Sequence, residues 1–147
     1  MNNSLLRWDD LKKYHLNPPY HPIPRHPEVQ RLYDLYNLYN LKANLKFLIK
    51  NNNIGNDSYI ITYNNFPYYL EPDITHLVIW ILPPSEGGEI SYNTSTFSFK
   101  DLEDILHQNN IKEYIYFINY PENKSIKDIE HIHLFLRFPE DVKKIIS

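Results

Sequence analysis

The 147-residue chain contains no cysteine, which excludes a disulfide framework, a cysteine nucleophile and any thiolate metal site. That absence fits a reducing compartment, and any metal would have to rest on His, Asp or Glu. No apolar run approaches the roughly 20 residues a bilayer span requires. The opening stretch "MNNSLLRWDDLKKYH" carries charge too early for the apolar region of a signal peptide. An excess of positive charge is missing too: the formal charge is -3 and the pI near 6.1. Nonspecific duplex DNA binding relies on many Lys and Arg neutralising phosphates, so it is not expected, although a small phosphate site is compatible. The expectation is a soluble, cytoplasmic protein with no membrane or duplex DNA partner.

What is present is skewed. There are 13 Tyr and 15% aromatic residues beside only 3 Gly, with Asn, Ile and Lys recurring. The codon content of an AT-rich genome, such as that of a large DNA virus or a protist, produces such a bias by itself. The length suits one domain with a substantial core, 1–147. Within it, residues 1–27 read as a helix plus a proline-rich strap, and 28–147 as the core.

"SLLRWDDLKKYH" places Leu5, Trp8 and Leu11 at helical spacing behind Ser4 as a cap, predicting a short amphipathic helix. In "NPPYHPIPRHPE" the prolines 18, 19, 22, 24 and 27 forbid helix and regular sheet and favour an extended path over the surface. Helix restarts at Pro27 and is predicted to run through "EVQRLYDLYNLYNLKANLKFLIKNNN", with Val29, Leu32, Leu35, Leu38, Leu41, Leu45 and Leu48 as its apolar stripe. Strands are predicted at 58–63, 75–82, 113–119 and 131–138, all rich in Ile, Val, Tyr and Phe. A helix from about residue 98, capped by Ser98, separates the second and third, and Pro139 opens a short terminal helix. The order gives an α+β fold with a mainly antiparallel sheet and packed helices.

Seven histidines raise the question of chemistry. His15, His21 and His26 lie in or beside the strap and are most simply solvated or capping groups. His131 and His133 differ, because strand periodicity puts both imidazoles on one face, with Ile132, Leu134 and Leu136 on the other. The residues leave several readings open: a nucleophile or base with its helper, a donor pair for phosphate, a metal pair, or two sheet histidines satisfied by hydrogen bonds. Metal is the weakest of these, since no third ligand follows at short range, and no metal or other cofactor is expected. His76, Val78 and Trp80 would share a face on their strand. If that face is the one carrying His133, the sheet gathers three histidines and an indole.

Two segments, "YIITYNNFPYYLEPDITHLVIW" and "YIYFINYPENKSIKDIEHIHLFLR", resemble the layout of histidine-triad (HIT) nucleotide-binding proteins over about residues 58–138. The resemblance implies a HIT-like fold, with His131 and His133 at the first two triad positions. It also implies phosphate contacts for Asn119 and Ser125 and aligns His76 with the histidine of a "GHxLV" segment. Phe135 stands where the third triad histidine belongs, and Thr75 where the glycine does. The family's "VIPR" tail becomes "FLRF", leaving Arg137 to meet phosphate. "NNFPYY", "HLVIW" and "NYPENKS" are also similar to stretches of a eukaryotic and viral family of unknown function that includes a fungal protein induced by N-acetylglucosamine.

Phenylalanine can neither donate nor accept a hydrogen bond, so a nucleotidyl-transfer mechanism would lose support worth on the order of a hundredfold in rate. The resemblance therefore points to nucleotide binding without turnover. Flat rings suit a purine, and a methylated guanine cation especially. Tyr68 and Trp80, with Phe66 and Tyr69, flank the proposed site, and Trp8 and Tyr20 could fold over it. Glu71 or Asp73 could read a guanine edge, and Lys124, Lys127 and Arg137 could meet phosphates. These parts make an mRNA 5′ cap binder the leading expectation, serving translation of a large DNA virus if one encodes the chain. The rivals are a HIT-like hydrolase or transferase using His133 and His131, and a protein-interaction module that binds its partner through the strap.

Overall fold

The computed structural model describes residues 5–36, 59–81, 98–120, 131–139 and 142–146. Four strands, β1 (Tyr59–Tyr63), β2 (Ile74–Ile81), β3 (Glu113–Phe117) and β4 (His131–Arg137), form one antiparallel sheet in the order β1-β2-β4-β3. With the three α-helices among the described residues, this is the expected α+β architecture. The strands form where β-branched and aromatic residues cluster, within two residues of the predicted limits.

Both faces of the sheet are covered, so its central strands are buried along almost their whole length instead of alternating between buried and exposed. One face presents Leu77, Ile79, Ile132, Leu134 and Leu136 to Leu102 and Leu106 of α3 (Phe99–Gln108), with Ile111 and Ile145 closing the layer. Ser98 caps α3, its Oγ accepting from the Asp101 N–H at 3.1 Å, as the sequence predicts. The helix ends in a Schellman-type turn: Asn110 takes φ 58°, and the Ile111 N–H reaches the Leu106 carbonyl at 2.9 Å. The terminal helix is only a 3₁₀ turn, Val142–Lys144.

The opposite face carries the histidines, and the amino-terminal segment closes it. Trp8 and Leu11 of α1 (Trp8–Lys12) pack with Ile23 and Tyr68 against Ile74, Ile115, Phe117 and Phe135. Helix α1 starts three residues later than predicted. Leu6 is instead extended, pairing in parallel with Leu70 through Leu6 N–H to Tyr69 O at 2.9 Å and Glu71 N–H to Leu6 O at 3.0 Å. Those long-range bonds satisfy backbone groups that a first helical turn would leave orphaned, so Arg7, not Ser4, becomes the cap. The proline strap forms neither helix nor strand and places Ile23 in the core, and the two residues His15 and Leu16 before it protect an edge. On β3 the Tyr116 N–H donates to His15 Nδ1 at 3.1 Å, and its carbonyl accepts from Leu16 N at 2.9 Å.

Helix α2 is described over Pro27–Leu35, with His26 accepting the Glu28 N–H at its amino end. None of its residues is buried, and Leu32 and Leu35 are 46% and 68% exposed, so this part of the predicted stripe is not a core face. The rest of the long helix predicted here lies outside the described residues. No helix among the described residues is long and apolar enough to cross a membrane.

Candidate functional site

Register decides which side chains meet. Val78 lies opposite His133, His76 opposite Phe135, and Trp80 opposite His131, while Phe117 flanks His133 from β3. His76, Trp80, His131 and His133 therefore share one face, as their periodicity allowed. All three histidines are buried, at 5–6% exposure. Buried imidazoles must be hydrogen-bonded, and the described partners account for His76 and His133 fully.

The loop after β1 builds the site's floor. Asn64 Oδ1 accepts the Phe66 N–H at 2.9 Å, an Asx turn that reverses the chain and brings Tyr68 over the start of β2. The Tyr68 N–H then points at His76 Nδ1, 3.3 Å away. The other nitrogen of that ring, Nε2, is 2.9 Å from His133 Nδ1 and 3.4 Å from the Asn64 amide. On the far side of His133, Nε2 lies 3.2 Å from Asn119 Nδ2 and 3.4 Å from the Tyr68 hydroxyl, which the same Asn119 nitrogen meets at 3.2 Å. Phe135 is fully buried at the third inward position, its ring stacked on His76 with centroids 4.5 Å apart.

Burial sets the charge. It pushes the His76 pKa down to about 3, with the Arg25 guanidinium adding to the effect. His133 is held well below its ordinary value by burial first, and then by the His76 and His131 rings and Arg25. Burial also raises the Tyr68 phenol, against the opposing pull of Asn119 and Arg25. Both imidazoles of the pair are thus neutral near pH 7.

Arg25 and Asn64 are the contributors that sequence reasoning missed. Arg25 lies over the Tyr33 ring at 4.3 Å and the Tyr68 ring at 5.5 Å, and its Nε donates to the Phe66 carbonyl at 2.7 Å. The signal for Asn64 was present, because it opens the "NNFPYY" stretch that also supplies Phe66 and Tyr68. Arg25 carried only its position in the strap.

The remaining candidates divide by location. Trp80 is buried with its indole N–H on Thr62 Oγ1 at 2.9 Å, and it packs on His131 with centroids 5.0 Å apart. Arg137, Asp73, Glu71 and Trp8 gather at the opposite end of the sheet. Arg137 pairs with Asp73 at 3.5 Å and Glu113 at 3.7 Å and overlies Trp8 at 5.9 Å, while Glu71 accepts the Trp8 backbone N–H at 2.7 Å. Four residues of β4 separate Arg137 from His133, about 13 Å, and Asp73 is about 23 Å along the chain from Trp80. One mononucleotide cannot use Trp80 as its stacking face and Glu71 or Asp73 as its base-edge acceptors together. Ser125, Lys124 and Lys127 lie outside the described residues.

A family model described as a protein of unknown function, DUF3605, matches residues 7–137. N-acetylglucosamine-induced protein 1 of Candida albicans is 34% identical over 97 residues, covering 59% of this chain and 38% of that protein. An uncharacterized protein of Saccharomyces cerevisiae is 31% identical over 90 residues, covering 56% and 46%. The matched stretches thus span less than half the length of either relative. Among solved structures, the crystal structure of HTC1 has a TM-score of 0.54 at 19% identity, covering 85% of this chain and 79% of that one, a likeness of fold alone.

Proposed function

The chain belongs to the DUF3605 family, and from that premise and the histidine cluster we propose that it is a cytoplasmic, non-catalytic nucleotide-binding protein with a HIT-like site. The observation that carries the reading is the convergence of His133, Asn119 and Tyr68 within 3.2–3.4 Å beside a fully buried Phe135. Polar groups suited to phosphoryl oxygens meet at one end of the sheet, while the third inward position can supply neither a proton nor a hydrogen bond. Arg25 adds positive potential behind Tyr68, which favours an anionic ligand.

A capped RNA 5′ end remains the first ligand to test, now through its phosphates. The acids first assigned to a guanine edge are engaged at the other end of the sheet, and the Tyr33 and Tyr68 rings already hold a cation, Arg25. A role in translation follows only if the cap is the ligand. Titration with cap analogue, GTP and ATP, followed through tryptophan fluorescence, should show saturable binding because Trp80 touches His131. Asn119→Ala should weaken that binding about tenfold. Incubation with dinucleoside polyphosphates, nucleoside phosphoramidates and a capped dinucleotide should show no turnover. Turnover abolished by His133→Ala would replace the proposal with an enzyme, and the absence of any nucleotide binding would end it.

A further inference from the structure

The hydrogen bonds around His133 have a direction, and the backbone fixes it. A peptide N–H is always a donor, so His76 Nδ1, facing the Tyr68 N–H at 3.3 Å, must offer its lone pair. A neutral His76 then carries its hydrogen on Nε2, the atom 2.9 Å from His133 Nδ1. One hydrogen lies between the two rings and His76 supplies it. His133 Nδ1 is therefore the acceptor, and its own hydrogen sits on Nε2. With Asn119 donating to the Tyr68 hydroxyl, two N–H groups only 3.2 Å apart aim at one acceptor oxygen.

We infer that the Tyr68 backbone, acting through His76, locks His133 as a hydrogen-bond donor, so that His133 Nε2 and Asn119 Nδ2 form a two-donor cradle for a phosphoryl oxygen. The inference rests on the proposed nucleotide-binding reading and deepens it. The Tyr68 hydroxyl occupies the acceptor position between these two donors, so a phosphoryl oxygen takes its place there and displaces it. In this tautomer Nε2 has no lone pair, so it can neither attack phosphorus nor bind a metal. His76 is a positioning residue, because it acts on the ligand only through the ring it orients. Among the described residues, the charged and titratable groups facing the pair are Arg25 and Tyr68 from the covering loops and His131 from β4, its ring 5.5 Å from His133. Burial leaves the rings uncharged, and Arg25 makes protonation less favourable still while attracting an anion.

Long-range proton–nitrogen correlation on protein with ¹⁵N-labelled histidine reads the tautomers directly. Between pH 6 and 8, His76 and His133 should each show a single Nε2–H form that does not titrate. A hydrogen on His133 Nδ1, or ordinary titration, overturns the inference whether or not nucleotides bind. Inorganic pyrophosphate is the second probe, and it should shift the His133 Nε2–H resonance. Glutamine keeps a donor near the place of Nε2, so His133→Gln should hold pyrophosphate within about threefold of wild type, whereas His133→Ala should lose about tenfold. Equal losses in the two variants overturn the donor assignment. Locked tautomers with binding of neither pyrophosphate nor any nucleotide overturn the ligand class and the proposed function together.

Discussion

Lowering the pH from 7 to 5 should cost this fold at least about 2 kcal/mol, and two buried histidines account for the loss. In the unfolded chain both titrate near 6.5, whereas in the fold His76 is pushed down to about 3 and His133 well below its ordinary value. Above about pH 7.5 neither state binds these protons and the pH dependence vanishes. Below it the unfolded chain takes up protons that the folded chain refuses, so stability falls with pH down to about 3. Integrated from pH 7 to 5, the His76 shift contributes about 2 kcal/mol of destabilisation and His133 adds to it with the same sign, a large share of the roughly 5–15 kcal/mol that holds a domain together. His15, lowered by burial against the opposing charge of Glu103, acts with the same sign. Glu28, lowered by its Arg31 partner, titrates below this window. Urea unfolding followed by tryptophan fluorescence should show the midpoint falling by at least about 1 M between pH 7 and 5 at unchanged slope, for a slope near 2 kcal/mol/M. His133→Gln removes one of the two titrating groups and should make that fall smaller than in the wild type. A midpoint that stays put from pH 7 to 5, or a variant with the full wild-type dependence, would refute the reasoning.

Three further outcomes follow from the packing. Phe135→Ala should destabilise by about 3–5 kcal/mol, seen as a melting temperature lowered by about 10 °C, because it empties the centre of the face on which Tyr68, His76 and Phe117 stack. Ser98→Ala should cost about 1 kcal/mol in chemical denaturation by removing the α3 cap. Arg137→Gln should change stability by no more than about 1 kcal/mol, because its ion pairs are partly solvated, and should leave nucleotide titrations unchanged at its distance from His133.

Local signals were legible wherever a single physical cause acts. Ser98 before an amphipathic run specified the start of α3, and β-branched clusters specified four strands. Alternation put His131 and His133 on one face, and the register extended that face to His76 and Trp80. The first helix was misplaced because the parallel bridge between Leu6 and Leu70 outweighs local propensity at Leu5 and Leu6, and such a bridge has no local signature. The site was legible in part. Residue types suited to phosphate and purines do not say where along a strand they fall, so Arg137, with Asp73 and Glu71 beside its end of the sheet, is not distinguished by sequence from a neighbour of His133, four positions away on β4.

By itself, the sequence determined the α+β class, the antiparallel sheet, the absence of thiol chemistry and the placing of Phe135 on one strand face with His131 and His133. These are properties of composition and of period-two patterning, which any chain with this order of residues carries. Only the tertiary structure decided that the strap seals the histidine face, that Arg25 stands behind Tyr68, and that one backbone N–H orients two imidazoles in series. Such facts depend on contacts between residues 8 to 65 positions apart, as the Tyr68–His76 and Tyr68–His133 bonds are. A hydrogen bond's direction belongs to a network, and a network exists only once the chain has closed on itself.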